Sequence, residues 1–470
     1  MKTFRYDLVV IGAGSGGFAA ARTARSLGAS VALVDHGPLG GLCILRGCMP
    51  SKTLLASSDL AAEIRAGREL GIAADITQID LAHIMARKRE IIAGFADHRI
   101  EGIKSFPLYE GQATFESATR LFVGDDVTLE ATSFIIATGS VVAPVVVPGL
   151  EDVGFVDSDA VLEAGALPAS IVVLGGGYVG AELGQFLSRM GVQTTFVIRA
   201  KHLLSTEDRD VGDALTLYFR KEGIEVIAGA FPTHVDRQDG KKVVHYVRDG
   251  TPGSVAADEI FYALGRVPNM AGLGLDRAGV LCHKITGIEV GPDLRTCAPN
   301  IFAIGDVTGV YPLVHVAIYQ GEVAARNAVT GSAEAADYAL QKTHTIFTDP
   351  QVAVAGASEK DLQAARIPYL TGSYAFGEHG KAIAINKTKG FVKMMASPAD
   401  GRILGAAIVG ADASDLIHEV IVAMYYRGTV QEFAKIPHLH PTLAEILTYP
   451  AEDIADQIAE GSPRPVAATA

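Results

Sequence analysis

The stretch YDLVVIGAGSGG, residues 6–17, predicts a buried parallel strand that runs into a glycine-rich turn and then a helix. Gly12, Gly14 and Gly17 match the pattern G-x-G-x-x-G, and a second predicted strand ends at Asp35. Such glycines let a pyrophosphate approach backbone N–H groups at a helix N-terminus. The acid can accept a hydrogen bond from a ribose hydroxyl. The stretch therefore predicts a dinucleotide-binding unit.

The same pattern recurs downstream. Residues 170–174 predict a strand that leads into Gly175, Gly177 and Gly180, and the strand after the next helix ends at Arg199. An acid at this strand end would repel a 2′-phosphate, whereas a basic residue accommodates it. Arg199 therefore favours NADP(H) over NAD(H). The alternative interpretation is a solvated surface charge.

Three further stretches combine an apolar strand with a turn of small residues. They are FIIATGS at 134–140, IFYALGRVPN at 260–269 and IFAIGD at 301–306. The turns contain Thr138, Gly139 and Gly265, where backbone can lie close to a ligand. Asp306 ends the third stretch and can reach a ligand hydroxyl, or alternatively can cap the segment that follows.

Two cysteines, Cys43 and Cys48, lie in the stretch GGLCILRGCMPSK at 40–52. They suggest a redox pair, a metal clamp or chance proximity. In a regular helix, Cα atoms five residues apart are about 8–9 Å apart, whereas a disulfide needs about 4.4–6.8 Å. A bond between them requires a distorted helix start, which Gly47 permits, and a constrained disulfide is easily reduced. Zinc is disfavoured because no second cysteine pair lies nearby in the sequence.

From about Thr343 the pattern changes to strand-like runs that alternate with helices, without a glycine fingerprint, which predicts a separate α+β domain. Residues 415–426 predict an amphipathic helix whose apolar face belongs to the core or to a subunit interface. The segment PHLHPTLAE at 437–445 contains two histidines and a glutamate. Metal binding, acid/base chemistry by a His–Glu pair and an ordinary surface are all open for it.

Composition limits the functional classes. The 470 residues suffice for about three domains, and a net charge of −13 argues against a nucleic-acid partner. No apolar run is long enough for a membrane span, and the N-terminal run is interpreted as a buried strand, not a signal peptide. We expect a cytoplasmic protein. Cys282 and Cys297 match no redox motif and are interpreted as ordinary thiols.

Seven motifs occur in one order along nearly the whole chain: GAGSGG, GGLCILRGCMPSK, ATGS, GGGYVGAE, ALGRVPN, AIGDV and HLHPTLAE. In these the chain resembles the class I FAD-dependent pyridine nucleotide–disulfide oxidoreductases. The resemblance implies an α/β fold with two Rossmann-like domains and a C-terminal α+β dimerisation domain. It places an FAD domain at 1–149 and 271–342, an NAD(P) domain at 150–270 and the dimerisation domain at 343–470.

The resemblance also implies catalytic roles. Cys48 corresponds to the thiol against the flavin, where it forms a thiolate–flavin charge-transfer pair, and Cys43 to the thiol that attacks the substrate disulfide. His440 and Glu445 correspond to an acid/base dyad that reaches the cysteines from the other subunit. A homodimer is therefore implied, and no resident metal.

Cofactor contacts follow from the same resemblance. Lys52 and Glu182 correspond to an ion pair near the reactive nitrogen of the flavin. Tyr178 corresponds to the ring that covers the nicotinamide pocket when the cofactor is absent. Asp35 and Asp306 correspond to contacts with the flavin's ribose and ribityl groups.

The substrate is less well determined by the motifs. The PSK and HPTLAE segments are more similar to dihydrolipoyl dehydrogenases than to glutathione reductases, although dihydrolipoyl dehydrogenases usually have an acid where this chain has Arg199. Mercuric reductase is disfavoured because the chain lacks a C-terminal cysteine pair, and glutathione reductase because Glu322 replaces an arginine. Arg22 does match a basic position used for glutathione. Alternatives are an NAD(P)H oxidase, quinone reductase or transhydrogenase, and a non-enzymatic subunit of a complex.

Overall fold

A computed structural model describes residues 2–461, which divide into two compact units. The first unit comprises residues 2–53, 82–144 and 265–337, and the second comprises residues 54–81, 145–264 and 338–461. Among these residues, no helix is both long and apolar enough to span a membrane. The four-segment domain boundaries expected from the sequence remain predictions.

The secondary structure follows in chain order. The strands are β1 Lys2–Ile11, β2 Val31–Asp35, β3 Leu108–Glu110, β4 Ala113–Ser117, β5 Arg120–Val123, β6 Val127–Ile136, β7 Ser140–Val142, β8 Ser170–Leu174, β9 Gln193–Ile198, β10 Glu225–Ala228, β11 Ala230–Gln238, β12 Lys241–Arg248, β13 Thr251–Ala257, β14 Glu259–Tyr262, β15 Arg266–Pro268, β16 Cys282–His283, β17 Gly287–Ile288, β18 Ile301–Ala303, β19 Thr343–Ile346, β20 Gln351–Gly356, β21 Leu370–Ala375, β22 Phe391–Ala396 and β23 Ile403–Gly410. The helices are α1 Ser15–Ser26, α2 Leu42–Arg46, α3 Cys48–Ala66, α4 Leu81–Lys104, α5 Leu150–Val153, α6 Ser158–Leu162, α7 Tyr178–Arg189, α8 Arg209–Lys221, α9 Val314–Thr330, α10 Glu359–Ala364, α11 Gly380–Ala384, α12 Ala413–Tyr425, α13 Val430–Phe433 and α14 Thr448–Ala459.

The first unit is built on a sheet with β1 near its centre. β2 and β6 flank β1 in parallel, β3 continues beyond β2, and β18 pairs with β6. The last four residues of β1 are buried, as expected for a strand covered on both faces. Helices α1 and α9 pack closely because Gly16 and Gly321 allow it: a Cβ on Gly321 would lie 2.4 Å from the Gly16 carbonyl oxygen.

The second unit contains another parallel sheet, in the order β10-β9-β8-β14. Helix α7 follows β8, and almost all its residues from Gly180 to Arg189 are buried. A separate antiparallel sheet is formed by β11, β12 and β13. The strand–turn–helix–strand pattern predicted from the second glycine motif is confirmed.

The C-terminal part of the second unit is an antiparallel sheet in the order β19-β20-β23-β22-β21. Helix α12 buries Ile417 and Val420 in the core of this sheet. Its C-terminal end leaves Tyr425 and Tyr426 about 70% exposed (68% and 78%). One face of the predicted amphipathic helix is therefore core, and a second apolar patch faces outward.

Candidate active site

In the first glycine turn, two positions have no room for a side chain and a third has free space beside it. Gly12 has φ +103°, and a Cβ there would lie 2.4 Å from the Ala137 carbonyl oxygen. A Cβ on Gly17 would lie 1.8 Å from the Gly12 carbonyl oxygen. At Gly14 the nearest atom would be 3.9 Å away. The chain therefore closes around Gly12 and Gly17 and leaves space at Gly14, where a pyrophosphate can approach.

Asp35 lies at the end of β2 beside this turn. Its Oδ2 accepts a hydrogen bond from Ala13 N at 2.8 Å, and its Oδ1 accepts one from Gly37 N at 2.7 Å. The two backbone bonds hold the carboxylate at the edge of the sheet, and each oxygen has a further lone pair. These remaining acceptor lone pairs fit the hydroxyl groups at the ribose end of a dinucleotide.

The second glycine turn repeats the geometry. A Cβ on Gly175 would lie 2.3 Å from the Ala263 carbonyl oxygen, and one on Gly180 would lie 2.4 Å from the Gly175 carbonyl oxygen. No atom lies within 4 Å of a Cβ built on Gly177. Each unit thus has its own open position in the glycine turn at the start of a helix, as the two predicted fingerprints require.

Arg199 and Glu182 also lie in the second unit. Arg199 directly follows β9 and is exposed, at the strand end that corresponds to Asp35 in the first unit. Glu182 is 5% exposed on α7, and its Oε1 accepts a hydrogen bond from Phe347 N at 2.9 Å. Lys52 lies in α3. The expected Lys52–Glu182 ion pair remains a prediction.

Tyr178, the first residue of α7, is held by a buried carboxylate. Its hydroxyl donates to Glu207 Oε1 at 2.6 Å, and His344 Nε2 lies 3.1 Å from the same oxygen. The Tyr178 and His344 rings stack with centroids 5.3 Å apart. Burial opposes ionisation of Glu207, but the hydrogen bonds from His344 and Tyr178 outweigh it and lower the pKa of this carboxyl. No local motif points to Glu207 or His344, so sequence reasoning missed both.

Three small-residue turns meet in the first unit. Ser140 Oγ donates to Asp306 Oδ2 at 2.7 Å, and Arg266 Nε donates to Ser140 Oγ at 3.0 Å. Thr138 Oγ1 donates to the Asn269 carbonyl oxygen at 2.6 Å. Asp306 lies inside the 3₁₀ turn Gly305–Thr308, whose N-cap is Ile304, and this turn has no side-chain capping hydrogen bond. The alternative interpretation of Asp306 as an N-cap is therefore wrong.

Two glycines of these turns complete the junction. The Gly139 carbonyl oxygen accepts from Asn269 N at 2.9 Å, and the Gly265 carbonyl oxygen accepts from Ala143 N at 3.0 Å. These bonds continue the antiparallel pairing of β7 with β15. The stretches at 134–140 and 260–269 are thus joined by backbone pairing as well as by side chains.

The cysteine pair lies at a break between two helices. Cys43 is in α2, which ends at Arg46, and Cys48 begins α3. A Cβ on the intervening Gly47 would lie 3.0 Å from the Leu42 carbonyl oxygen. The helix distortion expected from the spacing is confirmed. A hydrogen bond with Cys48, and then burial, raises the pKa of the Cys43 thiol, so it needs a base to become a nucleophile.

Two arginines lie close to one aromatic ring in the first unit. The guanidinium carbons of Arg22 and Arg99 lie 5.8 Å and 5.0 Å from the centre of the Phe18 ring. Nη1 of Arg99 is buried and has no hydrogen-bond partner among the described residues. Burial lowers the pKa of Arg99, a negative charge on Cys43 would raise it, and Arg22 adds to the lowering. The pair can accept an anion near Cys43. Arg99 lies in a long helix without a motif, so sequence reasoning missed it.

The predicted dyad residues come together in the second unit. His440 Nδ1 lies 3.1 and 3.0 Å from the two carboxylate oxygens of Glu445. The His440 side chain is 76% exposed, so Nε2 can exchange protons with a ligand. His438 is different, because its two nitrogens face the Ile436 carbonyl oxygen and Glu419 Oε1. The two histidines thus contact different carboxylates. Of the two, only His440 has a ring nitrogen, Nε2, that is available for acid/base chemistry.

A third histidine lies behind the dyad. His379 is 1% exposed, and its Nε2 is 3.9 Å from Glu445 Oε2. Neither ring nitrogen has a hydrogen-bond partner among residues 2–461. Burial lowers the pKa of His379, which keeps the ring neutral next to the Glu445 carboxylate.

Comparison with known proteins places this geometry in a family. The profile described as pyridine nucleotide-disulphide oxidoreductase matches residues 6–321, and the profile of the dimerisation domain of the same enzymes matches residues 343–451. The chain belongs to the pyridine nucleotide-disulphide oxidoreductases. It is therefore a flavoprotein oxidoreductase that acts on sulfur groups, and it uses FAD and a pyridine nucleotide. The glycine turns and Asp35 described above fit these cofactors.

Members of the family from bacteria are similar over the full length. The chain is 34% identical over 453 residues to a dihydrolipoyl dehydrogenase of Geobacillus stearothermophilus, and the alignment covers 95% of each chain. It is also 32% identical over 453 residues to a dihydrolipoyl dehydrogenase of Staphylococcus aureus, and this alignment covers 95% of this chain and 96% of the relative. The fold is similar to that of the HOCl-induced flavoprotein disulfide reductase RclA from Escherichia coli, with a TM-score of 0.84 and 25% identity over 95% of this chain and 99% of that one.

Proposed function

We propose that the protein transfers electrons between NAD(P)H and a disulfide or dithiol, through FAD and the Cys43–Cys48 pair, as a dihydrolipoyl dehydrogenase does. The observation that carries the proposal is the helix break at Gly47, which brings two thiols into hydrogen-bonding contact. The similarity to bacterial dihydrolipoyl dehydrogenases supports a lipoyl-type dithiol as the substrate.

The residues that would hold FAD come from three places in the first unit. Gly14 leaves room for the pyrophosphate, Asp35 offers acceptors to the ribose, and Asp306, fixed by Ser140, offers them to the ribityl chain. Bound FAD would supply hydride transfer with the nicotinamide and electron transfer with the cysteine pair. Lys52 and Glu182 would form the ion pair near its reactive nitrogen.

The thiol chemistry belongs to the chain itself. In the reductive direction, the Cys43 thiolate attacks one sulfur of the substrate disulfide, and the other substrate sulfur leaves as a thiolate. The Cys48 thiolate then attacks Cys43 in the mixed disulfide, releases the second substrate thiolate and closes the Cys43–Cys48 disulfide. Oxidation of a dihydrolipoyl dithiol is the reverse of these two exchanges.

His440 acts as the general acid and base in this exchange. Its Nδ1 is occupied by Glu445, so Nε2 gives a proton to the leaving substrate thiolate or removes one from an entering thiol. Because the pKa of the Cys43 thiol is raised, this base is needed at neutral pH. We place the dyad of one subunit of a homodimer beside the cysteines of the other, which explains the exposure of His440 in one chain.

The finer choice of pyridine nucleotide rests on Arg199. An exposed guanidinium after β9 would pair with a 2′-phosphate, so NADP(H) is the proposed cofactor of the second glycine turn. Tyr178 would cover the nicotinamide pocket until the nucleotide enters. A cytoplasmic location is part of the same proposal.

A second candidate substrate is an acidic disulfide. Arg22 and Arg99 both lie within 5.8 Å of the centre of the Phe18 ring, and the buried Nη1 of Arg99 has no partner among the described residues. A substrate carboxylate would satisfy this donor. Lipoamide has no charge to offer, so the arginine pair discriminates between the two substrate classes.

Anaerobic titration of the purified yellow enzyme tests the proposal. NADPH, and less effectively NADH, should produce a long-wavelength charge-transfer absorption that requires the Cys48 thiolate. Cys43→Ser should keep this absorption and lose turnover of disulfides, whereas Cys48→Ser should lose both. Absence of the band with either nucleotide would contradict a redox-active pair. Turnover of the physiological substrate by Cys43→Ser would instead favour an NAD(P)H oxidase or quinone reductase.

A further inference from the structure

The antiparallel ribbon formed by β11 and β12 carries two histidines and an aspartate on one face. His234 and Asp236 are two residues apart in β11, so their side chains point to the same side. His245 in β12 pairs directly with His234. The opposite face is marked by Val235 and Val244, which are 4% and 0% exposed. The strand register therefore places three side chains that can coordinate a metal ion close together on the surface of the second unit.

The three side chains converge closely. The two imidazole rings are parallel within 2°, with centroids 4.1 Å apart, and His245 Nε2 lies 3.2 Å from Asp236 Oδ2. One ligand atom from each residue can be chosen so that all three lie within 4.8 Å of one another. Two ligands of one tetrahedral zinc ion are about 3.3 Å apart, from bond lengths near 2.0–2.1 Å. Small side-chain rotations thus suffice to bring the three atoms into one coordination sphere.

Two further contacts support a ligand at this place. Asp236 Oδ1 is buried and has no hydrogen-bond partner among the described residues, while Oδ2 accepts from Gln238 and faces His245. The Thr233 hydroxyl donates to the His245 carbonyl oxygen and lies 3.2 Å from His234 Nδ1. If that hydroxyl accepts the Nδ1 proton, Nε2 of His234 carries the lone pair. Such an outer hydrogen bond is typical of metal-bound histidines.

We propose that His234, Asp236 and His245 bind one divalent transition-metal ion, of the borderline class represented by zinc, nickel and copper. Two imidazoles and one carboxylate suit these ions and not the harder calcium or magnesium. Three protein ligands leave at least one coordination position for water. None of the three residues belongs to the proposed electron path, so the ion would stabilise the β11–β12 ribbon and would not take part in thiol exchange.

Calorimetric titration of the FAD-bound, chelator-treated enzyme with Zn²⁺ tests the site. Thiols should first be blocked with iodoacetamide, because Cys43 and Cys48 could themselves bind the ion. We expect one ion per chain, a rise in Tm on binding, and at least a 30-fold weaker affinity in His234→Asn and in His245→Asn. His98→Asn, which removes an exposed histidine of α4, should bind zinc like the parent.

A second measurement needs no variant. Zn²⁺ should protect His234 and His245 from modification by diethyl pyrocarbonate, mapped by mass spectrometry, while exposed His98 stays reactive. Co²⁺ should give visible absorption typical of low coordination number. The proposal fails if the thiol-blocked enzyme binds no zinc, if the two histidine variants bind it as tightly as the parent, or if protection does not fall on these two rings.

Discussion

The Tyr178 hydroxyl and the Glu207 carboxylate are joined by a 2.6 Å hydrogen bond, in which Tyr178 donates to Oε1. Glu207 is 5% exposed and His344 is 11% exposed, so the bond is shielded from water. Because the pKa of Glu207 is lowered, the carboxylate remains an ionised acceptor throughout the neutral range. Tyr178 is thereby held in one position at the start of α7.

We expect Glu207→Gln to lower the KM for the pyridine nucleotide about 2- to 10-fold with little change in kcat. A hydrogen bond to a charged group contributes about 1.5–3 kcal/mol, and part of this must be given up when the ring moves aside for the nicotinamide. Steady-state kinetics at saturating disulfide measures the effect. Tyr369→Phe, which removes a comparable bond to Glu359, is the matched control. An unchanged or higher KM in Glu207→Gln would show that Tyr178 does not gate the pocket.

Arg199→Glu should reverse the choice of nucleotide. The variant places an acid at the strand end, where it accepts from a 2′-hydroxyl and repels a 2′-phosphate. The ratio of kcat/KM for NADPH over NADH should fall at least 10-fold, which corresponds to about 1.4 kcal/mol. Lys221→Glu, at the end of α8, makes the same charge change on another surface and should leave the ratio constant. Equal ratios in both variants would remove the argument for NADP(H).

His440→Asn should lower disulfide turnover about 10²- to 10⁴-fold without lowering Tm, since general acid/base catalysis contributes in this range and the side chain is exposed. Glu445→Gln should show a smaller loss. His438→Asn is the counterpart: it removes two contacts of a side chain that is 6% exposed, so it should lower Tm and preserve turnover. Equal activity losses in the two histidine variants would contradict the assignment.

Asp59→Asn should stabilise the protein above neutral pH. Burial raises the pKa of Asp59 to about 6, Asp349 adds to the rise, and Arg189 opposes it. Because the folded pKa exceeds the unfolded value near 3.9, the parent loses stability as pH rises from about 4 to 6. The Tm difference between variant and parent should grow over this interval and then level off. Asp75→Asn, an exposed partner of Arg68, should show no such trend.

Arg99→Met should separate acidic from neutral substrates. The substitution keeps an apolar stem over Phe18 and removes the guanidinium. For an acidic disulfide such as glutathione disulfide, kcat/KM should fall at least 10-fold, about 1.4 kcal/mol, whereas lipoamide should be used as before. Arg25→Met, which lies over Phe106 on the same unit, controls for loss of a ring-stacked arginine. A parallel decline for both substrates would mean that Arg99 supports the fold and not the substrate.

Much of the fold followed from local pattern. We could predict the two glycine turns, the strands beside them and the start of a separate α+β domain near Thr343. Each of these features depends on residues that are close together in the chain. The long helix α4 and the β11–β13 sheet carried no motif and were not predicted. Their patterns are weak because their residues are largely exposed or only half-buried.

Residues of the candidate site could be predicted only where they belong to a sequence motif. The contact between His440 and Glu445 lies within one short segment and was anticipated correctly. Glu207 and His344, by contrast, meet Tyr178 across 29 and 166 residues of sequence, so nothing local points to them. The same holds for the Arg189 cluster, where one buried guanidinium contacts Asp59, Glu222 and Asp349.

The break at Gly47 leaves little room for even one added methyl group. Alanine at this position would press a Cβ to 3.0 Å from the Leu42 carbonyl oxygen and 3.1 Å from the Cα of Cys43. To accept it, the backbone of Leu42 and Cys43 would have to move by a few tenths of an ångström, and Cys43 carries the first thiol. The separation of the two thiols therefore depends on a residue that has no side chain and no part in their chemistry.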